Sequence, residues 1–465
     1  MPCDISTDLE MFVESMGALR ALLSSTTQLL ANSAVDAIAA NPLVGFVLVN
    51  GMIKTCYPED EKWLLEFNAK TLPILKDHLG LTLISNDGKD IKFWCDNWFD
   101  GQKHFAAVKN YVRVTRQSEL LNNTGALSML AASAEHLVGR LLRYVYRRSV
   151  DKKFADRQIK LSELVGLNSV DDARELIVSS AIEDVIRGPF SGWITALKKD
   201  ASITMTYLPP NVDFVTETFQ RRNLWVHNRG IVNAIYLSRV DAALAGGIEI
   251  GKTLSCDQQY LTQRTDLFEE VFSLIALELW KKSDGGDAKR CEVLRKLVDD
   301  HCTNSRWSIV EALCTFAVNE RKLSDLERWY FQFDLWLAKK RTNRLEGCTD
   351  AIERACQTTS DVWLRLRRAA LLDRKTEFFT LMAESLHAGT VVPEFLRESY
   401  WFDEMRADSQ FAEILLASQS PSKPVASESS EIGQDEVTGK GSSEVSEASI
   451  AETGNGTPPN EGDNT

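Results

Sequence analysis

No two cysteines of this chain stand three positions apart, so the Cys-x-x-Cys unit of zinc knuckles and thiol redox sites is absent. The nine cysteines are scattered and odd in number, which reads as reduced thiols in a cytoplasm. The first ten residues carry Asp4, Asp8 and Glu10 and no base, the opposite of a secretory leader. No apolar run is long enough to cross a bilayer; the longest, 43–53, is interrupted by Asn50. A basic excess is missing too. Lys and Arg number 53 against 66 Asp and Glu, a net charge of −13, which excludes a uniform nucleic-acid-binding coat but allows a local basic patch. Gly-x-Ser-x-Gly does not occur, and no His, Cys and carboxylate group has metal-ligand spacing. Neither a metal nor an organic cofactor is expected.

Proline is scarce: 12 in 465 residues, four of them after residue 418. What remains is rich in Leu, Ala, Glu and Arg, which favours helices. In 1–104, apolar residues recur at helical spacing over 8–30, and Pro58 with Glu59, Asp60 and Glu61 opens a second helix, to 70. Leu81–Ser85 and Ile91–Trp94 flank Asn86-Asp87-Gly88, a hairpin signal. The aromatic cluster Phe93, Trp94, Trp98 and Phe99 reads as core or interface. In 105–282, helices are expected over 118–150, 169–187 (Ser169 as N-cap), 214–237 and 256–282, the last with Leu267, Val271, Leu274, Ile275 and Leu279 on one stripe. Shorter helices follow over 288–301, 305–318, 324–340, 350–356, 361–372 and 376–387, joined by short turns as in stacked hairpins. From 419 to 465 there is no aromatic residue, and nine acids oppose two lysines. This segment reads as a disordered acidic tail, unable to bury enough apolar surface to offset its ordering entropy.

The informative stretch is 219–233, FQRRNLWVHNRGIVN. It places one histidine among arginines and amides in a helical segment. Asn223 and His227 are i and i+4, on one face; Arg222 is five residues before His227. These residue types suit RNA cleavage by the strand's own 2′-hydroxyl. That reaction needs a base for the hydroxyl, an acid for the leaving 5′-oxygen, and positive charge on the pentacoordinate phosphate. Imidazole exchanges protons near neutral pH, guanidinium matches phosphate oxygens, and an amide orients either. The spacing alone decides nothing. With 29 arginines and 6 histidines, an Arg-x(4–6)-His match arises by chance about once in a chain of this composition. Arg295 and His301 form such a second match, with Asp299 and Asp300 beside the histidine.

The run 221–233 followed by Tyr236 resembles the signature helix of HEPN-superfamily proteins, in a bacterial branch with an RRN-apolar-x-VHN-x-G-x-V-x3-Y pattern. The resemblance extends over Thr115–Lys199 and through Ile250-Gly251-Lys252 to Tyr260, about a third of the chain. It implies an antiparallel helical bundle in which Arg222 and His227 match the catalytic pair and Asn223 the polar residue after the arginine. It also implies a homodimer that brings two pairs into one cleft, and a metal-independent endoribonuclease of phage-defence or toxin type. Many HEPN domains only dimerise or bind partners, so a noncatalytic helical scaffold is the alternative.

Two further features bear on this. Arg140, Arg143, Arg147 and Arg148 lead a basic stretch to Lys160, interleaved with Tyr144 and Tyr146. With Arg221 it is a candidate RNA-backbone contact, or else a set of ion pairs to an acidic body. Gly246–Thr253 fits the P-loop pattern G-x-x-x-x-G-K-[ST]. No strand leads into it, however, and Glu249 places negative charge where phosphates would lie, so a connecting loop is expected. The segment 401–411 is similar to the end of tetratricopeptide-like arrays, which implies a surface in 283–418 for a regulatory or trigger protein. The expectation is a mainly α cytoplasmic chain: an N-terminal mostly helical segment 1–104 with a small hairpin near 81–94, a HEPN-like domain 105–282, C-terminal helical hairpins 283–418 and a tail. RNA and a second copy are the partners, with no membrane.

Overall fold

The computed structural model describes residues 4–56, 61–86, 91–320, 323–355 and 361–419. The turn residues Asp87 and Gly88, the helix start at Pro58 and the tail beyond 419 fall outside the described residues. The protein is mainly α, with one two-stranded sheet among the described residues.

Two long helices frame the body. Helix α1 (Ile5–Ala40) is capped by Asp4. After α2 (Pro42–Cys56) and α3 (Glu61–Leu79), strands β1 (Leu81–Asn86) and β2 (Ile91–Cys95) pair antiparallel, Leu81 opposite Cys95. Helix α4 (Trp98–Lys153) then runs 56 residues, about 84 Å at 1.5 Å per residue. Leu9, Phe12, Met16, Leu19 and Leu23 of α1 are buried, as are Leu127, Leu130, Ala134, Leu137 and Leu141 of α4. Both sets repeat at steps of three and four, the seam of a coiled coil. Asp8 meets Arg140 at one end of this seam.

The central helices pack on that pair. They are α5 (Leu161–Leu164), α6 (Val170–Ile186, capped by Ser169 as expected), α7 (Phe190–Ala201), α8 (Val212–Asn228), α9 (Ala234–Arg239), α10 (Ala242–Ala245) and α11 (Gln258–Ser283). An aromatic ladder joins α7, α8 and α11. Its closest inter-helix contacts are Trp193 to Phe219 at 5.0 Å and Phe219 to Phe268 at 5.4 Å between ring centroids. The same core continues through α12 (Ala288–Thr303), α13 (Trp307–Ala317) and part of α14 (Asp325–Arg341), across residue 282. A second core holds the rest of α14 with α15 (Thr349–Arg354), α16 (Val362–Leu371), α17 (Lys375–His387), α18 (Pro393–Glu398), α19 (Asp403–Arg406) and α20 (Ser409–Gln419). No described helix is long and apolar enough to cross a membrane.

One expectation needs correction, and another, core or interface for the aromatic cluster, is narrowed. The run expected to be helical over 214–237 breaks after Asn228. Arg229 (φ 51°) and Gly230 (φ +76°) are left-handed, and the Gly230 amide donates to the Leu224 carbonyl at 3.2 Å, a glycine-type C-terminal cap. The Trp225 ring lies on Gly230, where a Cβ would sit 2.6 Å from it. In the aromatic cluster, Trp94, Trp98 and Phe99 are exposed, Phe99 at 79%; only Phe93 packs against Phe46 and Phe105. These three are not core; Trp94 sits on the exposed face of β2, whose burial alternates along the strand, and Trp98 and Phe99 in the first turn of α4.

Gly230→Ala is expected to cost about 2 kcal/mol in urea unfolding, from the positive φ and the Trp225 contact together. A smaller loss than that of Gly→Ala at the open position Gly125 would contradict this.

Candidate functional site

The candidate site is carried on α8, whose position is set by a buried carboxylate. Glu217 is 2% exposed. It accepts hydrogen bonds from Arg221 Nε (2.6 Å), from the Tyr236 hydroxyl of α9 (2.9 Å) and from the Tyr260 hydroxyl of α11 (2.8 Å). Arg264 of α11 approaches at 3.5 Å. A buried charge must be paired in this way or it costs several kcal/mol. Burial and the Glu217 charge hold both tyrosine hydroxyls well above their ordinary pKa, so both stay protonated donors. Arg221 also donates to the Ser255 carbonyl at 2.8 Å and lies 4.0 Å over the Tyr260 ring. Its guanidinium is thus committed inside the domain rather than offered to a strand. Tyr236, which closes the sequence motif, is 2% exposed and belongs to this network.

One residue further on, Arg222 points the other way. It forms an ion pair with Glu135 of α4, and its side chain keeps 24% exposure. The Arg222 Nε is buried without a partner. Arg222, Asn223 and Gln220 line a groove of about 290 Å³ with Glu135, the turn at Gly188 and the edge of Trp193. Glu135 was not singled out in the sequence; it lies 87 residues upstream, and no local pattern connects it to Arg222.

His227 sits in the last turn of α8, exposed, with no hydrogen bond or ion pair to any described residue. It does not line the groove that holds Arg222 and Asn223. Five residues turn the helix through about 140° and advance it about 7.5 Å, which separates the two. Val226 beside it is 55% exposed, and Ile231 and Ile235 just beyond are 40% and 59% exposed, so an apolar surface flanks the histidine.

The basic stretch is largely neutralised. Arg140 bonds Asp8 at 2.8 Å; Arg143 and Arg147 both pair with Glu175 of α6. Lys153 pairs with Asp200 and Arg157 with Asp184. Arg148 lies 4.0 Å over the Tyr144 ring and is exposed.

The other Arg–His match is a core element. His301 is 1% exposed, with Nε2 at 3.4 Å from Glu269 and Nδ1 at 3.2 Å from Arg306. Burial first, then Arg306 and Arg20, push its pKa down to about 3. Residues 246–253 form a loop docked on 230–232: Val232 N–H donates to Lys252 O at 2.8 Å and Leu254 N–H to Gly230 O at 3.0 Å. No strand leads in, and Gly247 and Gly251 (φ +77° and +86°) serve turns. Among the described residues no three His, Cys, Asp or Glu side chains gather as a metal site would require.

The chain matches no protein-family model, no curated protein and no solved structure.

Two outcomes are expected. Glu217→Gln, which keeps the shape but leaves Arg221 and Arg264 without a countercharge, loses about 3 kcal/mol of stability by chemical denaturation. The His301 ring stays neutral from pH 8 to 4.5 in histidine-selective NMR; a midpoint above 5 would contradict its buried pairing.

Proposed function

We propose that this chain is a metal-independent endoribonuclease of the HEPN type that its α8 motif resembles, acting as a homodimer in the cytoplasm in a phage-defence or toxin role. One observation carries the reading. The same helix presents a guanidinium and an amide in a half-buried groove and, a turn and a half later, a solvent-facing imidazole with no partner among the described residues. A buried, doubly bonded histidine such as His301 could not exchange protons with a substrate. His227 can.

In the reaction, one imidazole removes the 2′-hydroxyl proton while that oxygen attacks phosphorus. The P–O5′ bond breaks, and the leaving oxygen takes a proton from an acid. The products carry a 2′,3′-cyclic phosphate and a 5′-hydroxyl. Arg222 stabilises the charge on the phosphoryl oxygens, and Asn223 orients the phosphate or the attacking group. Because Arg222 and His227 lie on different sides of one α8, a second copy meeting the first across the apolar surface at Val226 and Ile235 would complete the pairing. The C-terminal helices supply the surface for a regulatory protein.

Glu135 bears directly on activity. Its carboxylate holds the edge of Arg222 that a phosphate would take, so substrate has to displace it. A second reading, a noncatalytic dimerising scaffold, is favoured by the ion pairing of Arg140, Arg143 and Arg147, which neutralises three of the four arginines in the 140–148 run.

The test is cleavage of single-stranded RNA and tRNA in EDTA. Arg222→Ala and His227→Ala are each expected to lower the rate at least 100-fold, with cyclic-phosphate ends in the wild-type products. Glu135→Gln is expected to tighten RNA binding several-fold. Folded dimeric protein that neither cleaves RNA nor shows His227-dependent toxicity in cells would favour the scaffold.

A further inference from the structure

Away from α8, α11, α13 and the turn before α8 border a half-open cavity of about 590 Å³, a size that holds a small organic ligand. Leu274 of α11 and Ala312 and Phe316 of α13 form its apolar wall. The polar groups facing it are mostly engaged. Glu278 accepts from the Thr204 amide (2.7 Å), the Thr204 hydroxyl (2.8 Å) and the Met205 amide (3.1 Å). Lys281 pairs with Glu320 at 3.3 Å and donates to Asn319 O at 3.1 Å. Arg344 pairs with Glu311 at 2.5 Å.

Glu270 stands apart from these. Glu270 has a single neutral donor, Asn211 Nδ2 at 3.0 Å, and no cation bonded to it among the described residues. The Tyr207 hydroxyl is shut off from solvent beside Glu278, and burial together with that carboxylate keeps it protonated. The unmatched charge of the cavity is therefore negative, and it sits beside an apolar wall.

We propose that this cavity binds a primary ammonium carried on an alkyl chain, with the ammonium on Glu270 and the chain along Leu274, Ala312 and Phe316. Either a free amine or the end of a partner's lysine side chain has this chemistry.

Protonation supports the assignment. Burial pushes Glu270 up to about 7, with Asn211 opposing it, Glu311 and Asp266 adding to it and Arg344 reducing it; Glu278 and Lys281 also face the cavity. An incoming ammonium favours the ionised carboxylate. Binding below pH 7 then releases a proton from Glu270, and affinity falls as pH drops from 8 to 6.

The test uses the full chain and calorimetry with n-pentylamine, with n-pentanol as the uncharged control and an acetylated peptide containing one lysine as a second arm. Pentylamine is expected to bind and raise the melting temperature, pentanol to bind at least 10-fold more weakly, and affinity to drop several-fold from pH 8 to 6. Pentylamine binding points to a free amine, whereas binding of the peptide alone points to a protein partner. Glu270→Gln is expected to fold at least as well, since it removes a buried charge, and to lose at least 10-fold in affinity; a melting curve checks the fold. Equal binding of alcohol and amine, unchanged affinity in Glu270→Gln, or no binding of amine or peptide at millimolar concentration would each overturn the proposal.

Discussion

The placement of α8 depends on one buried carboxylate. Glu217 ties α8 to α9 and α11 through two tyrosine hydroxyls and the Arg264 guanidinium, with Arg221 of α8 itself as a further donor. Shut away from water, a carboxylate is tolerated there only because these donors surround it. The arrangement fixes which way the helix faces. With Arg221 drawn inward, the next residue, Arg222, faces α4 and the groove. The left-handed cap at Arg229 and Gly230 then ends the helix just past His227 and leaves its ring in solvent.

Charge is used the same way on α4. The arginines that stand out as a basic cluster along the chain mostly find acids once α1 and α6 pack against them: Asp8 for Arg140, Glu175 for Arg143 and Arg147. Partly buried pairs of this kind hold helices in register. They also lower the field available to attract a polyanion. The charge balance of a surface is set by what folds onto it, and a count along the sequence does not see those partners.

Much of the helical scaffold was legible because its signals are local. Apolar periodicity placed the buried stripe of α11 and the α1 seam, Ser169 capped α6, and the Asn-Asp-Gly signal in the sequence marked the β1–β2 pairing. The break after Asn228 was missed because Arg229 adopts a conformation no arginine favours, and only the Trp225 ring against Gly230 shows why the chain turns there. The exposure of Trp94, Trp98 and Phe99 was equally invisible. Aromatic residues promise burial, but Trp94 falls on the outward face of β2, and Trp98 and Phe99 on the exposed first turn of α4.

By itself the sequence determined the helical class, the existence of the hairpin and the presence of an Arg-Asn-His motif on one helix, since each rests on residues within a turn or two of one another. Tertiary structure alone decided that Arg221 serves the core and Arg222 the groove, that Glu135 is the group Arg222 holds, that His301 is buried while His227 is open, and that Glu270 faces a cavity. Those outcomes depend on contacts between residues tens to hundreds of positions apart, and burial and countercharge exist only once those residues meet.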